Sequence, residues 1–383
     1  MSANPSPSGS SFNVVIAGGG VGALEAALAL RDLAGERIRT TLLAPDPNFV
    51  VRPARVKEPF GYTAAQTYPL ADIARDLGAE LVPDSLKSLD APGSRVHTEQ
   101  GTELPYDALV LATGARLRPA FSHGLSIDDS QIDDQLHGLI QDVEGGYVRS
   151  IAFVAPSEAV WPLPIYELAL MTARRAYDMQ TDVAITIATP EDAPLAVFGD
   201  TVSLAIGRLM EENGVTVLTS AHSSVPEPGL VAIHPGERML KVDRVVALPQ
   251  LFGPSTPGVP GGVEGGFIPI DNHCRVRGLE NVFAAGDGTE FPIKFGGIAA
   301  QQADTAAGAI AALAGAPVEP EPFHPVLRAI LLGADKPLYL SAHVTGGHGS
   351  SSQISEEPAW SPPFKIAAKY LAPYLESRNR QAV

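Results

Sequence analysis

The sequence contains one cysteine, Cys274, among its 383 residues. A single cysteine excludes an intrachain disulfide and any Cys-x-x-Cys redox or metal pair within this sequence. Cys274 lies in a stretch where apolar and polar residues alternate, so we predict a buried, inert structural thiol. The nine histidines show no His-Glu-x-x-His or comparable spacing, which argues against a metal site.

Long hydrophobic runs and positive charge are also scarce. No run approaches the roughly 20 apolar residues that would span a bilayer. The 43 acidic residues outnumber the 27 basic ones and give a net charge of -16, which opposes binding to nucleic acid or anionic lipid. Residues 1–11 lack a charged start and an apolar core, so we expect a disordered lead and a cytoplasmic protein.

The N-terminal part carries a glycine loop between an apolar strand at residues 14–17 and an alanine- and leucine-rich helix at residues 24–33. This context is typical of a dinucleotide fingerprint, in which backbone N–H groups at a helix N-terminus bind a pyrophosphate. The predicted contacts are Gly18, Gly20, Val21, Gly22 and Ala23. The acidic residue expected for the adenosine ribose is displaced, because the second strand ends in Ala44 and Asp46 follows two residues later.

Two further motifs follow in order. Residues 106–115 contain the crossover Ala112, Thr113 and Gly114, and residues 281–288 contain Gly286 and Asp287. Together with the glycine loop, they resemble the flavoproteins related to pyridine nucleotide-disulfide reductases, type II NADH dehydrogenases and sulfide:quinone oxidoreductases. The resemblance implies an FAD cofactor whose ribityl chain is held by Asp287. It also implies that this chain differs from relatives that pass electrons or sulfur through cysteines.

The resemblance and the order of predicted strands and helices indicate an α/β protein. We expect two Rossmann-like, doubly wound, three-layer domains and a small C-terminal α+β region. The predicted limits are a lead at 1–11, a discontinuous FAD-binding domain at 12–120 and 260–320, an NAD(P)-binding-like domain at 145–259, and an interface region at 321–383.

The loop of the second domain contains no glycine between its strand at residues 150–155 and its helix at residues 166–176. Pro156, Pro162 and Pro164 each lack the N–H that a pyrophosphate needs, and Glu158 would repel the phosphate. The loop favours a quinone or other apolar acceptor over NADH or NADPH, although NAD(P)H stays open as the donor. Trp161 either lines an acceptor pocket or simply packs.

Several residues are predicted to surround the flavin. Glu167 occupies the position of a glutamate in NADH-dependent relatives; it serves either in proton exchange or as a helix-start residue stabilised by the dipole. Near the helix that follows the last motif, Gly297 and Ile298 would face the flavin pyrimidine ring. Lys294 would add positive charge, Gln301 resembles a residue of the quinone side, and Arg52 would contact phosphate or adenine.

At the C-terminus we predict two strands and then a helix over residues 364–375 with a basic end. This helix could dock on its own domain, on a second subunit in a homodimer, or on a membrane surface; the acidic composition favours its own domain. The leading function is an FAD-dependent oxidoreductase that uses small-molecule donors and acceptors and no redox disulfide. An NAD(P)H-dependent flavoenzyme and a non-catalytic flavin-bound scaffold are the alternatives.

Overall fold

The computed structural model describes residues 12–61, 64–127, 132–157, 160–261, 265–345 and 348–381. The predicted lead at 1–11 and Glu158 lie outside them. In chain order the strands are β1 (Phe12–Ala17), β2 (Ile38–Leu43), β3 (Asn48–Val50), β4 (Thr67–Pro69), β5 (Glu80–Val82), β6 (Leu86–Asp90), β7 (Arg95–Thr98), β8 (Glu103–Pro105), β9 (Ala108–Leu111), β10 (Arg116–Arg118), β11 (Leu125–Ser126), β12 (Ser150–Val154), β13 (Ala184–Ala188), β14 (Val215–Leu218), β15 (His222–Glu227), β16 (Leu230–His234), β17 (Arg238–Lys241), β18 (Arg244–Ala247), β19 (Gln250–Phe252), β20 (Val282–Ala284), β21 (Val326–Leu331), β22 (Leu338–Thr345) and β23 (His348–Ser355).

The α-helices are α1 (Val21–Ala34), α2 (Leu70–Leu77), α3 (Ile132–Glu144), α4 (Leu163–Asp178), α5 (Asp200–Glu212), α6 (Gly296–Leu313) and α7 (Leu371–Gln381). Three short 3₁₀ helices cover Gly35–Arg37, Arg52–Phe60 and Ala196–Phe198. Within the described ranges, none of these helices combines the length and the apolar character needed to cross a membrane.

The first sheet has the strand order β20-β9-β1-β2-β5, and all of its neighbouring strands are parallel. Its central strands are continuous apolar runs, as expected for strands that helices cover on both faces. The alanine-rich helices α1 and α6 pack together on one face, because their small side chains let the backbones approach closely. This sheet is the doubly wound unit predicted at the N-terminus.

The second sheet repeats this plan in the order β11-β18-β12-β13-β14, again entirely parallel. Helices α4 and α5 follow β12 and β13, as the sequence predicted. The two-domain α/β fold is therefore confirmed, while the exact domain limits stay a prediction. Strand β11 joins the second sheet although it lies before the predicted limit at residue 145.

The C-terminal region differs from the prediction. Three antiparallel strands, β21 to β23, form a sheet that shares a hydrophobic core with the second unit through Leu327 and Leu340. The helix predicted over residues 364–375 is wrong in its bounds, since α7 begins only at Leu371. This start places Pro373 in the first helical turn, where its missing N–H leaves no intrahelical hydrogen bond unmade.

Helix α7 docks on the first unit of its own chain. The buried Glu25 of α1 accepts hydrogen bonds from the backbone N–H groups of Tyr370 (2.9 Å) and Leu371 (2.5 Å), which satisfies the start of the helix. Arg378 pairs with Asp76 at 2.7 Å and with Asp72 at 3.4 Å. Arg378 is therefore neutralised by α2, while Arg380 pairs with Glu376 of α7 itself. Contact with a membrane or a second subunit stays a prediction.

Candidate functional site

The three sequence motifs meet at one edge of the first sheet. Strands β1, β9 and β20 are neighbours and parallel, so the loops after Ala17, Leu111 and Ala284 emerge side by side at their carboxyl ends. In open α/β sheets this edge is where ligands bind. Residues separated by more than 260 positions in the sequence thus form one site.

Two glycines allow the loops to approach each other. Gly18 has φ +134°, and a Cβ placed on it would lie 2.2 Å from the backbone oxygen of Ala112. A Cβ on Gly288 would lie 2.9 Å from the backbone oxygen of Gly114. Any side chain at Gly18 would collide with backbone that cannot move aside, so this glycine is required by the crossing of the two loops.

The N-terminus of α1 is built to receive an anion. Its N-cap is Gly20, no side chain of the described residues caps it, and a Cβ on Gly20 would meet nothing within 4 Å. The first intrahelical hydrogen bond runs from Leu24 N to Gly20 O at 3.0 Å. The N–H groups of Val21, Gly22 and Ala23 precede it and belong to the turn that carries the positive end of the helix dipole. Asp46 lies exposed beyond β2 on the same edge.

Asp287 is held in a turn with charged neighbours. Burial raises the pKa of its carboxyl, while the positive charges of Lys294 and Arg52 oppose that rise. Lys294 is buried, stands 4.0 Å from the centre of the Phe267 ring, and donates a hydrogen bond to the backbone oxygen of Thr289. Burial lowers the pKa of Lys294 to about 8. Lys294 is thus turned toward the loop of Asp287, and its predicted catalytic role stays a prediction.

Gln302 is a site residue that the sequence reading missed. It is fully buried on α6, and its Oε1 accepts a hydrogen bond from Gly286 N at 2.7 Å, which fixes the turn before Asp287. Its neighbour Gln301 hydrogen-bonds to β21: Nε2 donates to Val326 O at 2.8 Å and Oε1 accepts from Val326 N at 2.8 Å. Its place on the acceptor side stays a prediction. Successive residues of a helix point about 100° apart, and no local pattern distinguishes the roles of these two glutamines.

The N-terminus of α6 faces the same region. Phe295 is its N-cap, and none of the described side chains caps it by a hydrogen bond. Gly297 and Ile298 lie buried in its first turn. The ring of Phe295 stacks on Trp161 of the second unit, with centroids 4.3 Å apart and planes at 12°. Trp161 is therefore a packed residue at the boundary between the two units.

Glu167 and Lys365 form a buried ion pair beside this boundary. Lys365 Nζ lies 2.6 Å from Glu167 Oε1, which also accepts a hydrogen bond from Leu332 N at 2.9 Å. The other oxygen, Oε2, has no hydrogen-bond partner among the described residues. Burial raises the pKa of Glu167, and the charges of Lys365 and Lys57 oppose the rise. The helix-start alternative for Glu167 is thus replaced by a buried, titratable group.

A cavity of about 710 Å³ opens next to Lys365. Its walls come from the 3₁₀ helix Arg52–Phe60, from residues 64–66, from the second half of α4, from the turn between β21 and β22, and from the segment before α7. The volume is in the range of small-molecule sites. The cavity gives a ligand access to the surroundings of the Glu167–Lys365 pair, and its polar residues could not be grouped from sequence because they come from five separate segments.

The corresponding edge of the second sheet is filled by its own side chains. Trp161 packs edge-on against Phe198, with ring centroids 5.7 Å apart. Glu191 follows β13 where a ribose-binding acid would lie, but its Oε2 accepts hydrogen bonds from Tyr166 Oη and Thr189 Oγ1, both at 2.9 Å. Burial raises the pKa of Glu191 to about 7. These residues do not fit a dinucleotide in the usual pose.

Cys274 is buried, as predicted, and burial raises the pKa of its thiol. Its backbone oxygen accepts a hydrogen bond from Ala284 N at 2.9 Å, which ties the preceding loop to β20. Among the described residues, no three His, Cys, Asp or Glu side chains group as metal ligands would.

Comparisons with known proteins agree with this architecture. The family model described as pyridine nucleotide-disulphide oxidoreductase matches residues 12–144. An NADH dehydrogenase-like protein of Mycobacterium tuberculosis is 26% identical over 231 residues, which is 57% of this chain and 57% of that protein. The matched region thus spans little more than half of that relative. The sulfide-quinone reductase of Aquifex aeolicus is 33% identical over 107 residues, 27% of this chain and 25% of that protein.

Solved structures share the fold over most of the chain. The sulfide:quinone oxidoreductase of Aquifex aeolicus superposes with a TM-score of 0.79 at 19% identity, covering 97% of this chain and 90% of that one. A ferredoxin reductase from Rhodopseudomonas palustris gives 0.67 at 19% identity, covering 88% and 83%. Over residues 12–144 the chain is therefore similar to the pyridine nucleotide-disulphide oxidoreductases, and its fold resembles that of these solved structures over most of its length.

Proposed function

We propose that this protein is an FAD-dependent oxidoreductase that passes two electrons through its flavin to a quinone-like or other small acceptor, without a redox disulfide. The observation that carries the proposal is the meeting of three motif loops at one sheet edge, where Gly18 and Gly288 allow contacts that a side chain would block. The only cysteine of the sequence is buried in a structural loop, so the chemistry takes place at the flavin itself.

Different residues at this edge suit different parts of the FAD molecule. The open N-terminus of α1 suits the pyrophosphate, Asp46 the adenosine ribose, and Asp287 the ribityl chain. Arg52 would contact phosphate or adenine, and the uncapped start of α6 at Gly297 and Ile298 would stabilise negative charge on the pyrimidine ring. When bound, FAD supplies the capacity to accept and release two electrons.

Glu167 is proposed to hold and release the proton that accompanies these electrons. Its burial favours the neutral form, Lys365 favours the charged form, and its second oxygen is free of partners among the described residues. The pKa of this carboxyl is raised above its ordinary value, which suits a group that takes up and releases a proton during the reaction. Lys365 orients the carboxylate through their 2.6 Å contact.

The electron donor is either NADH or another small molecule. The name of the mycobacterial relative supports NADH as an alternative donor. The stacked Trp161 and the internally bonded Glu191 weigh against it, since both occupy positions that a dinucleotide would need. The name of the Aquifex relative supports a quinone acceptor, which the cavity of about 710 Å³ could admit next to Lys365.

The test begins with the purified full-length protein. We expect a yellow protein whose spectrum and released cofactor identify FAD. Anaerobic titration with NADH, NADPH and a reduced quinone then follows flavin absorbance. Bleaching by the quinol and not by NADH supports the proposal, rapid bleaching by micromolar NADH establishes the NAD(P)H-dependent alternative, and no bleaching by any donor favours the scaffold. A protein that binds no FAD contradicts the proposal.

A further inference from the structure

The cavity beside Lys365 differs in charge from the rest of the chain. Acidic residues outnumber basic ones by 43 to 27 in the sequence. The charged side chains that line the cavity show the opposite balance: they are Lys57, Arg174, Arg175, Lys365, Asp178 and Asp335. Glu144 and Glu167 supply two further carboxylates that pair with Arg175 and Lys365, so the charges balance overall and the question is whether one cation lacks a partner.

The charges near the mouth are largely balanced. Arg174 lies 3.3 Å from Asp178 and 2.9 Å from Asp335, and all three side chains are well exposed. Arg175 lies 3.3 Å from Glu144 and also donates a hydrogen bond to the backbone oxygen of Phe60. Two guanidinium groups thus meet three carboxylates here, so an unpaired positive charge can come only from the lysines near Glu167.

The excess lies near Glu167. Two ammonium groups, of Lys57 and Lys365, share this single carboxylate, and the charge of Lys57 is close enough to influence the pKa of both partners. Lys365 is the group in direct contact with Glu167. No carboxylate forms an ion pair with Lys57 within the part of the chain that the structure describes. One positive charge thus remains uncompensated beside the cavity.

The remaining lining is apolar. Phe60, Met171, Leu332 and Phe364 contribute side chains around the same space. Apolar walls with a few convergent polar groups are the usual construction of a small-molecule site. The mouth, by contrast, carries exposed charged groups, which a long hydrocarbon chain would have to desolvate on entry.

From this arrangement we propose that the cavity binds a compact, water-soluble organic anion, with a flat or apolar body against the walls and its anionic group at Lys57. The inference rests on the proposed function in taking this cavity as the acceptor site. It names the class of acceptor: an anionic ring compound without a lipid tail. Lys57 is then a specificity-determining residue, whereas Glu167 and Lys365 belong to proton exchange.

The experiment compares two probes of nearly equal shape by isothermal titration calorimetry on the purified full chain. The anionic probe is 1,4-naphthoquinone-2-sulfonate, and the neutral probe is 1,4-naphthoquinone. We expect the anion to bind about tenfold more tightly at low salt, with the advantage shrinking as ionic strength rises. Equal affinities, or no binding of either probe, would overturn the inference.

Variants of Lys57 test whether this residue causes the preference for the anionic probe. Lys57→Gln should remove most of the preference while leaving flavin content unchanged, and Lys57→Arg should retain it. Arg174→Gln, at the balanced mouth, is the matched control and should change the ratio by less than about twofold. A preference that survives in Lys57→Gln refutes the assignment. Binding is read by calorimetry and FAD by its spectrum, so failure of this inference is distinguishable from failure of the proposed function.

Discussion

The two parallel sheets of this protein offer a direct comparison, because each follows its second strand with an acidic residue three positions later. After β2 the acid is Asp46, exposed at an open edge. After β13 it is Glu191, bonded to Tyr166 and Thr189 of its own unit. The loop after the first strand also differs between the two units: it contains glycines in the first unit, and prolines and a tryptophan in the second. One architecture thus leaves this edge open in the first unit and fills it with side chains in the second.

The difference shows that the fold alone does not carry the function. Parallel strands bring their carboxyl ends to one edge in either unit, but anion binding depends on backbone N–H groups that remain accessible there. Prolines remove those groups and aromatic side chains fill the space. The second unit instead places the buried Glu167 of α4 beside the boundary between the two units.

The largest effect is expected from closing the first edge. Gly18→Val would place a Cβ 2.2 Å from Ala112 O at a φ that valine cannot adopt, so the protein should lose bound FAD and more than about 3 kcal/mol of stability. Gly78→Ala is the control: φ is +66° and the space is open, so we expect a cost of about 1 kcal/mol and full FAD content. Absorbance and chemical denaturation measure both. Normal FAD content in Gly18→Val would contradict the site.

The second prediction concerns the group that the second unit contributes. Glu167→Gln keeps the shape and hydrogen-bonding capacity but cannot exchange the proton, so turnover with a reactive donor and acceptor pair should fall about 100-fold with FAD retained. Glu103→Gln removes a charge from an exposed ion pair with Arg95 and should stay within about twofold. Steady-state kinetics measure the turnover rates of both variants. An unchanged rate in Glu167→Gln would exclude this residue from the mechanism.

The third prediction tests whether the Glu191 carboxyl is buried and hydrogen-bonded within its own unit. Because burial raises its pKa from 4.5 to about 7, the folded state binds this proton more tightly than the unfolded state. Its contribution to stability is therefore fully present below pH 4.5 and is lost as the pH rises to about 7, by about 3 kcal/mol. Glu191→Gln should lose less stability than the native protein over this interval. Identical pH profiles in denaturant titrations would show that Glu191 is accessible, as a ribose ligand would be.

The smallest effect is expected at the corresponding acid of the first edge. Asp46→Ala removes one hydrogen-bond acceptor for the adenosine ribose and should weaken FAD binding about fivefold, as a lost bond of about 1 kcal/mol would. Glu99, an exposed acid between β7 and β8, is the control: Glu99→Gln should leave the affinity for FAD unchanged. Flavin fluorescence during reconstitution of the apoprotein measures both affinities. Equal affinities would place the ribose elsewhere.

The C-terminal region shows where prediction from sequence stopped. Helical spacing of apolar residues suggested a helix from Phe364, yet α7 starts at Leu371. The start is set by Glu25, more than 340 residues away, which accepts the N–H groups of Tyr370 and Leu371. Periodicity reports which face of a segment is apolar, but a helix end depends on which partner satisfies its free backbone groups.

The sequence by itself determined the resemblance to a family of flavoproteins, the two parallel α/β units, the nature of the first glycine loop and the presence of a single cysteine, because each of these can be recognised from residue types along the chain. Only the tertiary structure decided that Glu167 pairs with Lys365, that Gln302 rather than Gln301 supports the turn before Asp287, and that Trp161 stacks on Phe295. These contacts join residues remote in the chain, and their existence depends on how the two units pack. The glycine loop indicates where a cofactor is held, whereas the packing of the units determines which groups can react beside it.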